Sequence, residues 1–152
     1  MKIRDALEID IPYLIQIVIE YKKSQNILFD PNQIEKLKTS FENAIRNDKN
    51  IISVHINSEN DAIDGFINLH LLDFPLIQGK ELYISDLVIN RGERGKGKGT
   101  ALVQYAEKIA EEHDCVRIML NNFKDSTAYE REFYKKKGFI ERKNIANYVK
   151  FL

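Results

Sequence analysis

Residues 94–100 read Arg-Gly-Lys-Gly-Lys-Gly-Thr. Glycines at alternate positions, Gly95, Gly97 and Gly99, permit a tight turn that a ligand can approach without meeting a Cβ. A helical pattern opens directly after the loop. Its first free N–H groups and the positive end of its dipole therefore converge on one spot. That is an anion site suited to a pyrophosphate, and Arg94, Lys96 and Lys98 add positive charge, with Thr100 as the last residue of the loop. The plainer alternative is a solvated basic turn that uses glycine for its shape alone.

Two nucleotide motifs can be tested against this loop. A Walker A loop matches Gly92 through Gly97-Lys98 but requires Ser or Thr where Gly99 stands, so the magnesium-binding hydroxyl is missing. A dinucleotide fingerprint matches Gly95 and Gly97 and then meets Thr100 in place of its third glycine.

A third pattern, R-x-x-G-x-G over Arg94–Gly99, does fit, and Phe133-Tyr134-Lys135-Lys136-Lys137-Gly138-Phe139 provides a second motif, F-Y-x-x-x-G-F, at the right distance. With both in this order, the sequence resembles the GNAT family of N-acyltransferases over essentially its whole length. The resemblance implies acetyl-CoA as co-substrate, its pyrophosphate held by Arg94, Gly95, Lys96, Gly97, Lys98, Gly99 and Thr100. It also implies pantetheine along the backbone of Leu87, Val88 and Ile89, with further contacts drawn from Asn122 and Thr127. Backbone N–H donors at the thioester oxygen would stabilise the charge that builds on attack.

The implied reaction is direct attack of an amine on the thioester, with no cysteine nucleophile and no metal. Tyr134 is the expected proton donor to the departing thiolate. Asp86, just before Leu87, is the first candidate for the base, acting through water; the alternative is a strand-edge carboxylate that only positions its neighbours. Phe29, Asp30 and His70 are the candidates for contact with the acceptor, a small or protein amine. A non-catalytic acyl-CoA sensor on the same fold is the competing hypothesis. Cys115 reads as a small apolar residue, and no His/Cys cluster has metal-ligand spacing.

The elements that must hold these residues follow from periodicity. Residues 2–6 suit a short strand. Asp10 and Pro12 open a helix whose apolar face is Leu14, Ile17, Val18 and Tyr21. Asp30-Pro31-Asn32-Gln33 is a capping box for a second helix with Ile34, Leu37, Phe41, Ala44 and Ile45 inward. Strands are expected over 52–56, 62–72 and 81–90, with a loop over 73–80. A helix over 99–113, with Leu102, Val103, Ala106, Ile109 and Ala110 inward, leads to a strand over 116–122. A crossover of this length makes the fourth and fifth strands parallel neighbours. A capping box at Thr127…Glu130 opens a last helix over 127–137, and 139–142 and 148–152 are expected as closing strands. The fold class is thus α+β, a GNAT-type mixed, mostly antiparallel sheet with helices on both faces and a splayed parallel central pair.

Composition bounds the rest. The chain has 152 residues, 23 Lys+Arg and 23 Asp+Glu. That length predicts one domain, 1–152. A zero net charge argues against a general nucleic-acid or membrane binder. One cysteine and the lack of a signal-like apolar run suit the cytoplasm. The neutral total conceals two opposed halves: residues 1–76 sum to −4 and residues 77–152 to +4. The C-terminal strands offer an edge that would pair two copies into a homodimer.

Overall fold

The computed structural model describes residues 2–152. They divide into two units, one ending at Leu120 and the other Asn121–Leu152. The first unit is built on five strands, β1 (Lys2–Asp5), β2 (Asn50–Ile56), β3 (Ile63–Phe74), β4 (Gly79–Ile89) and β5 (Cys115–Leu120). They lie side by side in chain order. The first three pairings are antiparallel and β4 pairs β5 in parallel. The connection between that parallel pair is the helix α3 (Lys98–Glu112), as the crossover length requires.

Two helices, α1 (Ile11–Lys23) and α2 (Pro31–Ile45), cover one face of the sheet. Leu14, Ile17 and Phe41 pack there against Ile52, Val54, Ile56, Phe66 and Val88. Phe41 meets Phe66 edge to face with ring centroids 5.8 Å apart, a favoured aromatic geometry. Side chains alternate across a strand, so Ile67, Leu69, Leu82 and Ile84 are buried on the other face, which α3 covers with Leu102, Val103, Ala106, Ile109 and Ala110.

The capping box of α2 forms as expected: Gln33 N–H donates to Asp30 Oδ1 at 2.8 Å, and Asp30 N–H donates to Gln33 Oε1 at 2.9 Å. Asp10, expected to cap α1, does something else. It is buried, and its carboxylate accepts from both Arg4 Nη atoms at 2.6 and 2.9 Å and from Leu7 N–H at 2.8 Å. A carboxylate out of water needs a counter-charge more than a helix end needs a cap. Arg4 therefore holds its carboxyl below the usual carboxylate range.

Three further expectations are corrected. The loop over 73–80 is short: β3 and β4 run on as a hairpin to Phe74 and from Gly79, around a single turn Pro75–Ile77 followed by Gln78 at φ 56°. The helix expected over 127–137 is only α4 (Thr127–Glu130), capped one residue earlier than expected by Ser126, whose side chain accepts from Tyr129 N–H. Glu132 takes φ 53°, with Glu132 N–H to Tyr129 O and Phe133 N–H to Ala128 O, which is a Schellman stop without a glycine. The closing strands are absent from the five-stranded sheet. Residues 139–142 and 148–152 carry no regular structure, and Ile140, Tyr148, Val149 and Phe151 are exposed. An alternating sequence becomes a strand only when a neighbouring edge takes its hydrogen bonds.

Candidate functional site

The chemistry-bearing residues of the first unit follow the course of β4. On one side β4 is paired with β3 to its end, Leu87 opposite Ile67, Val88 opposite Phe66 and Ile89 opposite Gly65. On the other side its pairing with β5 stops at Ile84 opposite Leu120. The backbone from Ser85 to Ile89 therefore has an edge that β5 does not claim. Gly65 keeps the claimed side tight: a Cβ there would stand 2.8 Å from Val88 O and 2.4 Å from Ile89 Cδ1.

β4 feeds a turn, Arg91–Glu93, and then the glycine loop. Gly95 and Gly97 take φ 80° and 82°, the left-handed region that side chains disfavour, and a Cβ on either would meet nothing within 4 Å. Gly97 precedes α3 and provides no side-chain cap. The first rung of α3 is Ala101 N–H to Gly97 O at 3.0 Å. The N–H groups ahead of it, on Lys98, Gly99 and Thr100, precede any rung and carry the positive end of the dipole.

The three loop cations are disposed differently from one another. Arg94 Nε donates to Ile89 O at 2.9 Å, which ties the guanidinium to the end of β4. Lys96 Nζ reaches Glu93 Oε1 at 3.1 Å. Lys98 turns inward: its side chain is 11% exposed, and its ammonium lies between Glu93 Oε2 and Asp64 Oδ2. Asp64 Oδ1 in turn meets His55 Nδ1 at 2.6 Å, both side chains buried. Burial alone would lower the Lys98 pKa, but the bonds to Asp64 and Glu93 raise it on balance. The same contacts, with Lys98 first and Lys96 second, hold the Glu93 carboxyl below its usual range. The Lys98 charge thus fastens the loop to the β2–β3 hairpin, while its backbone N–H is among those that precede any rung of α3.

At the vertex where β4 leaves β5, the β3–β4 register slips: Asn68 faces Asp86 while Leu69 faces Ile84, so Ser85 is an extra residue. Asp86 Oδ2 accepts from Ser85 Oγ at 2.7 Å and from Asn68 Nδ2 at 3.1 Å. His70 Nε2 lies 2.9 Å from Ser85 Oγ. Asn50 Nδ2 donates to Asn68 Oδ1 at 2.5 Å and braces the group from β2. Sequence reasoning singled out Asp86 and His70, and the fold joins them through Ser85 and Asn68, which it missed. The one available signal was the polar residues Asn68 and Ser85 inside otherwise apolar strands. Phe29 and Asp30 belong to the start of α2, where the Asp30 carboxylate is occupied as its cap.

Tyr134, Asn122 and Thr127 belong to the second unit. Gly138 N–H donates to Lys135 O and Phe139 N–H to Tyr134 O, with Gly138 at φ 85°. This is a Schellman turn with its usual apolar contact, here Tyr134 edge-on to Phe139 with centroids at 5.6 Å. Phe133 flanks the same phenol ring at 4.9 Å. The F-Y-x-x-x-G-F motif is therefore a local device that fixes the Tyr134 ring. Asn122 Oδ1 accepts from Ser126 Oγ at 2.9 Å, and Thr127 is the first residue of α4.

The family model for the acetyltransferase (GNAT) family matches residues 15–139. The chain belongs to that family. Among curated proteins this GNAT chain is 34% identical, over 64 residues, to "Probable glucosamine 6-phosphate N-acetyltransferase 2" of Oryza sativa subsp. japonica, a match that covers 42% of this chain and 36% of that protein. The chain thus spans about a third of that relative's length. Among solved structures it resembles one described as a probable acetyltransferase, with a TM-score of 0.84 at 21% identity, covering 100% of this chain and 98% of the other. A predicted acetyltransferase from Clostridium acetobutylicum, crystallised with acetyl-CoA, gives a TM-score of 0.78 at 22% identity, covering 97% and 95% of the two chains. At such identities these likenesses establish the GNAT fold. Among the described residues, no helix is long and apolar enough to cross a membrane.

Proposed function

We propose that this protein transfers an acetyl group from acetyl-CoA to a primary amine by direct attack on the thioester. One observation carries the proposal: the edge of β4 that β5 leaves unpaired beyond Ile84 leads, through the turn Arg91–Glu93 and the loop of Gly95 and Gly97, into a start of α3 that has no side-chain cap. A strand-like amide chain ending in a pyrophosphate has the complementary shape. The backbone of Leu87, Val88 and Ile89 takes the pantetheine amides and the thioester oxygen. The amides of the loop and the start of α3, together with Arg94, take the pyrophosphate. Asn122 and Thr127 are assigned to pantetheine as well.

Asp86, exposed beside the start of that edge, holds the acceptor ammonium beside the thioester, where a base can take its proton. Tyr134 gives a proton to the departing sulfur. His70 lines the acceptor side near Asp86, and Phe29 and Asp30 form a more distant wall at the start of α2. The acceptor is an amine of small size or a protein amine. The partial likeness to a glucosamine 6-phosphate enzyme makes amino sugars the first acceptors to try.

The test is acetyl-CoA binding by calorimetry, followed by free-thiol release with glucosamine 6-phosphate, spermidine, an aminoglycoside and a lysine peptide. Saturable binding with amine-dependent thiol release is expected. Binding without release from any amine would leave a sensor in place of an enzyme. Binding of ATP with magnesium but not of acetyl-CoA would overturn the cofactor assignment.

A further inference from the structure

The hydroxyl of Ser85 stands between the Asp86 carboxylate, to which it donates, and a ring nitrogen of His70. Asp86 Oδ2 is 2.7 Å away and His70 Nε2 is 2.9 Å away. Serine is an ordinary surface residue, but this one is the extra residue of a bulge. The bulge is what turns its side chain towards its neighbours on the same face. Asp86 Oδ2 already accepts from Asn68 Nδ2, itself braced by Asn50. The carboxylate is thereby held by neutral donors on one oxygen, with the other oxygen left for an acceptor. Ser85 and Asp86 are exposed, while Asn68 and His70 are half-buried, so the serine and the aspartate are the more exposed members of the group.

Resting on the acetyl-transfer proposal above, we infer that His70, acting through the Ser85 hydroxyl, takes up the first proton of the acceptor ammonium, while Asp86 holds the ammonium in place and Asn68 fixes Asp86. His70 is then a positioning and proton-storing residue one step removed from the substrate. With the ring hydrogen on Nδ1, Nε2 is an acceptor. The ammonium gives a proton to Ser85 Oγ as Ser85 passes its own hydrogen to Nε2. The freed lone pair forms the C–N bond at the thioester carbon. As the C–S bond breaks, the second nitrogen proton is lost and the sulfur is protonated. His70 then releases its proton to water, so one acetyl transfer frees one thiol and one proton.

Imidazole suits this task because it titrates nearest to neutrality. Burial lowers the His70 pKa, against the opposing pull of the Asp86 charge, which favours the neutral ring that can accept a proton. The groups facing it are Asn50 from β2, its register partner, and Tyr83, Ser85 and Asp86 from β4, with the Tyr83 ring centroid 6.2 Å away. The next charges along the strands are paired with each other, Lys49 with Asp73 and Arg117 with Glu81.

The experiment measures thiol release against pH for the wild type, His70→Gln, Ser85→Ala and Asp86→Asn, using the best amine of the panel. Calorimetric acetyl-CoA binding serves as the check that each variant is folded. In the wild type, turnover should fall at acid pH as His70 protonates. His70→Gln should lose that acid limb and roughly 10–100-fold in kcat, with acetyl-CoA affinity unchanged. Ser85→Ala should lose a similar factor, and the double variant should lose little more. Asp86→Asn should move the acid limb to lower pH, because the charge that raises the His70 pKa is gone, and should raise KM for the amine. Wild-type transfer with an unchanged pH profile and kcat in His70→Gln would overturn the relay and leave the acetyltransferase standing. A wild type that binds acetyl-CoA and transfers to no amine would overturn both.

Discussion

The glycine loop and the Ser85 network lie along the same strand and are held by opposite means. The loop is fastened by charge: Lys98 lies between Asp64 and Glu93, and Asp64 is buried against His55. The network is fastened by neutral donors, Asn50 to Asn68 and Asn68 to Asp86, and its outer members are exposed. A buried ion pair is costly to break and allows one geometry. A half-exposed amide chain is cheap to rearrange. Under the proposed acetyl transfer, the first would hold a coenzyme of constant shape and the second would accommodate an amine.

The sharpest way to break this contrast is Lys98→Met. It leaves Asp64 buried without its cation and should cost about 3 kcal/mol or more in a urea titration, together with most acetyl-CoA affinity. A loss under about 1 kcal/mol would mean the loop is not anchored by charge. Next is Tyr134→Phe, which should leave acetyl-CoA affinity as it is and lower kcat by roughly 100-fold. Unchanged turnover would remove the phenol from the chemistry.

A third test uses a charged anchor away from both regions. Asp10→Asn should cost about 2 kcal/mol at neutral pH, since it weakens the bonds from Arg4 and Leu7. The Asp10 pKa is lowered by Arg4, so its stabilisation is present above the ordinary carboxylate range and lost as pH falls through the lowered value. The gap between wild type and variant in denaturant should therefore close on acidification; a constant gap would contradict the ion pair. The smallest effect belongs to the network. Asn68→Ala should cost about 1 kcal/mol of stability yet still raise KM for the amine, and a cost as large as that of Lys98→Met would erase the distinction between the two regions.

Much of the fold was legible in the chain. The capping box at Asp30 and Gln33, the apolar stripe Leu102–Ala110 of α3 and the parallel β4–β5 crossover each depend on near neighbours or on a length, and each appears as expected. The same is true of the glycine loop. The misreadings share a cause. Asp10 looked like a cap because its counter-ion, Arg4, lies on the preceding strand. The Schellman stop at Glu132 uses a residue with no special preference for the left-handed region, so nothing local marks it. Lys98 counted as a free cation because its carboxylate partner Asp64 is 34 residues away in sequence.

What the sequence by itself determined is the set of local devices: the glycines, the caps, the strand periods and the F-Y-x-x-x-G-F turn, all governed by hydrogen bonds a few residues long. Only the tertiary structure decided which polar groups face one another. The slip that makes Ser85 an extra residue exists only as a relation between β3 and β4, and it is this relation that brings His70, Ser85, Asn68 and Asp86 into one chain of hydrogen bonds. Likewise the burial of Lys98 depends on where the β2–β3 hairpin passes. Charge and hydrogen-bonding capacity are properties of residues, but whether they are spent on the protein or offered to a ligand is a property of packing.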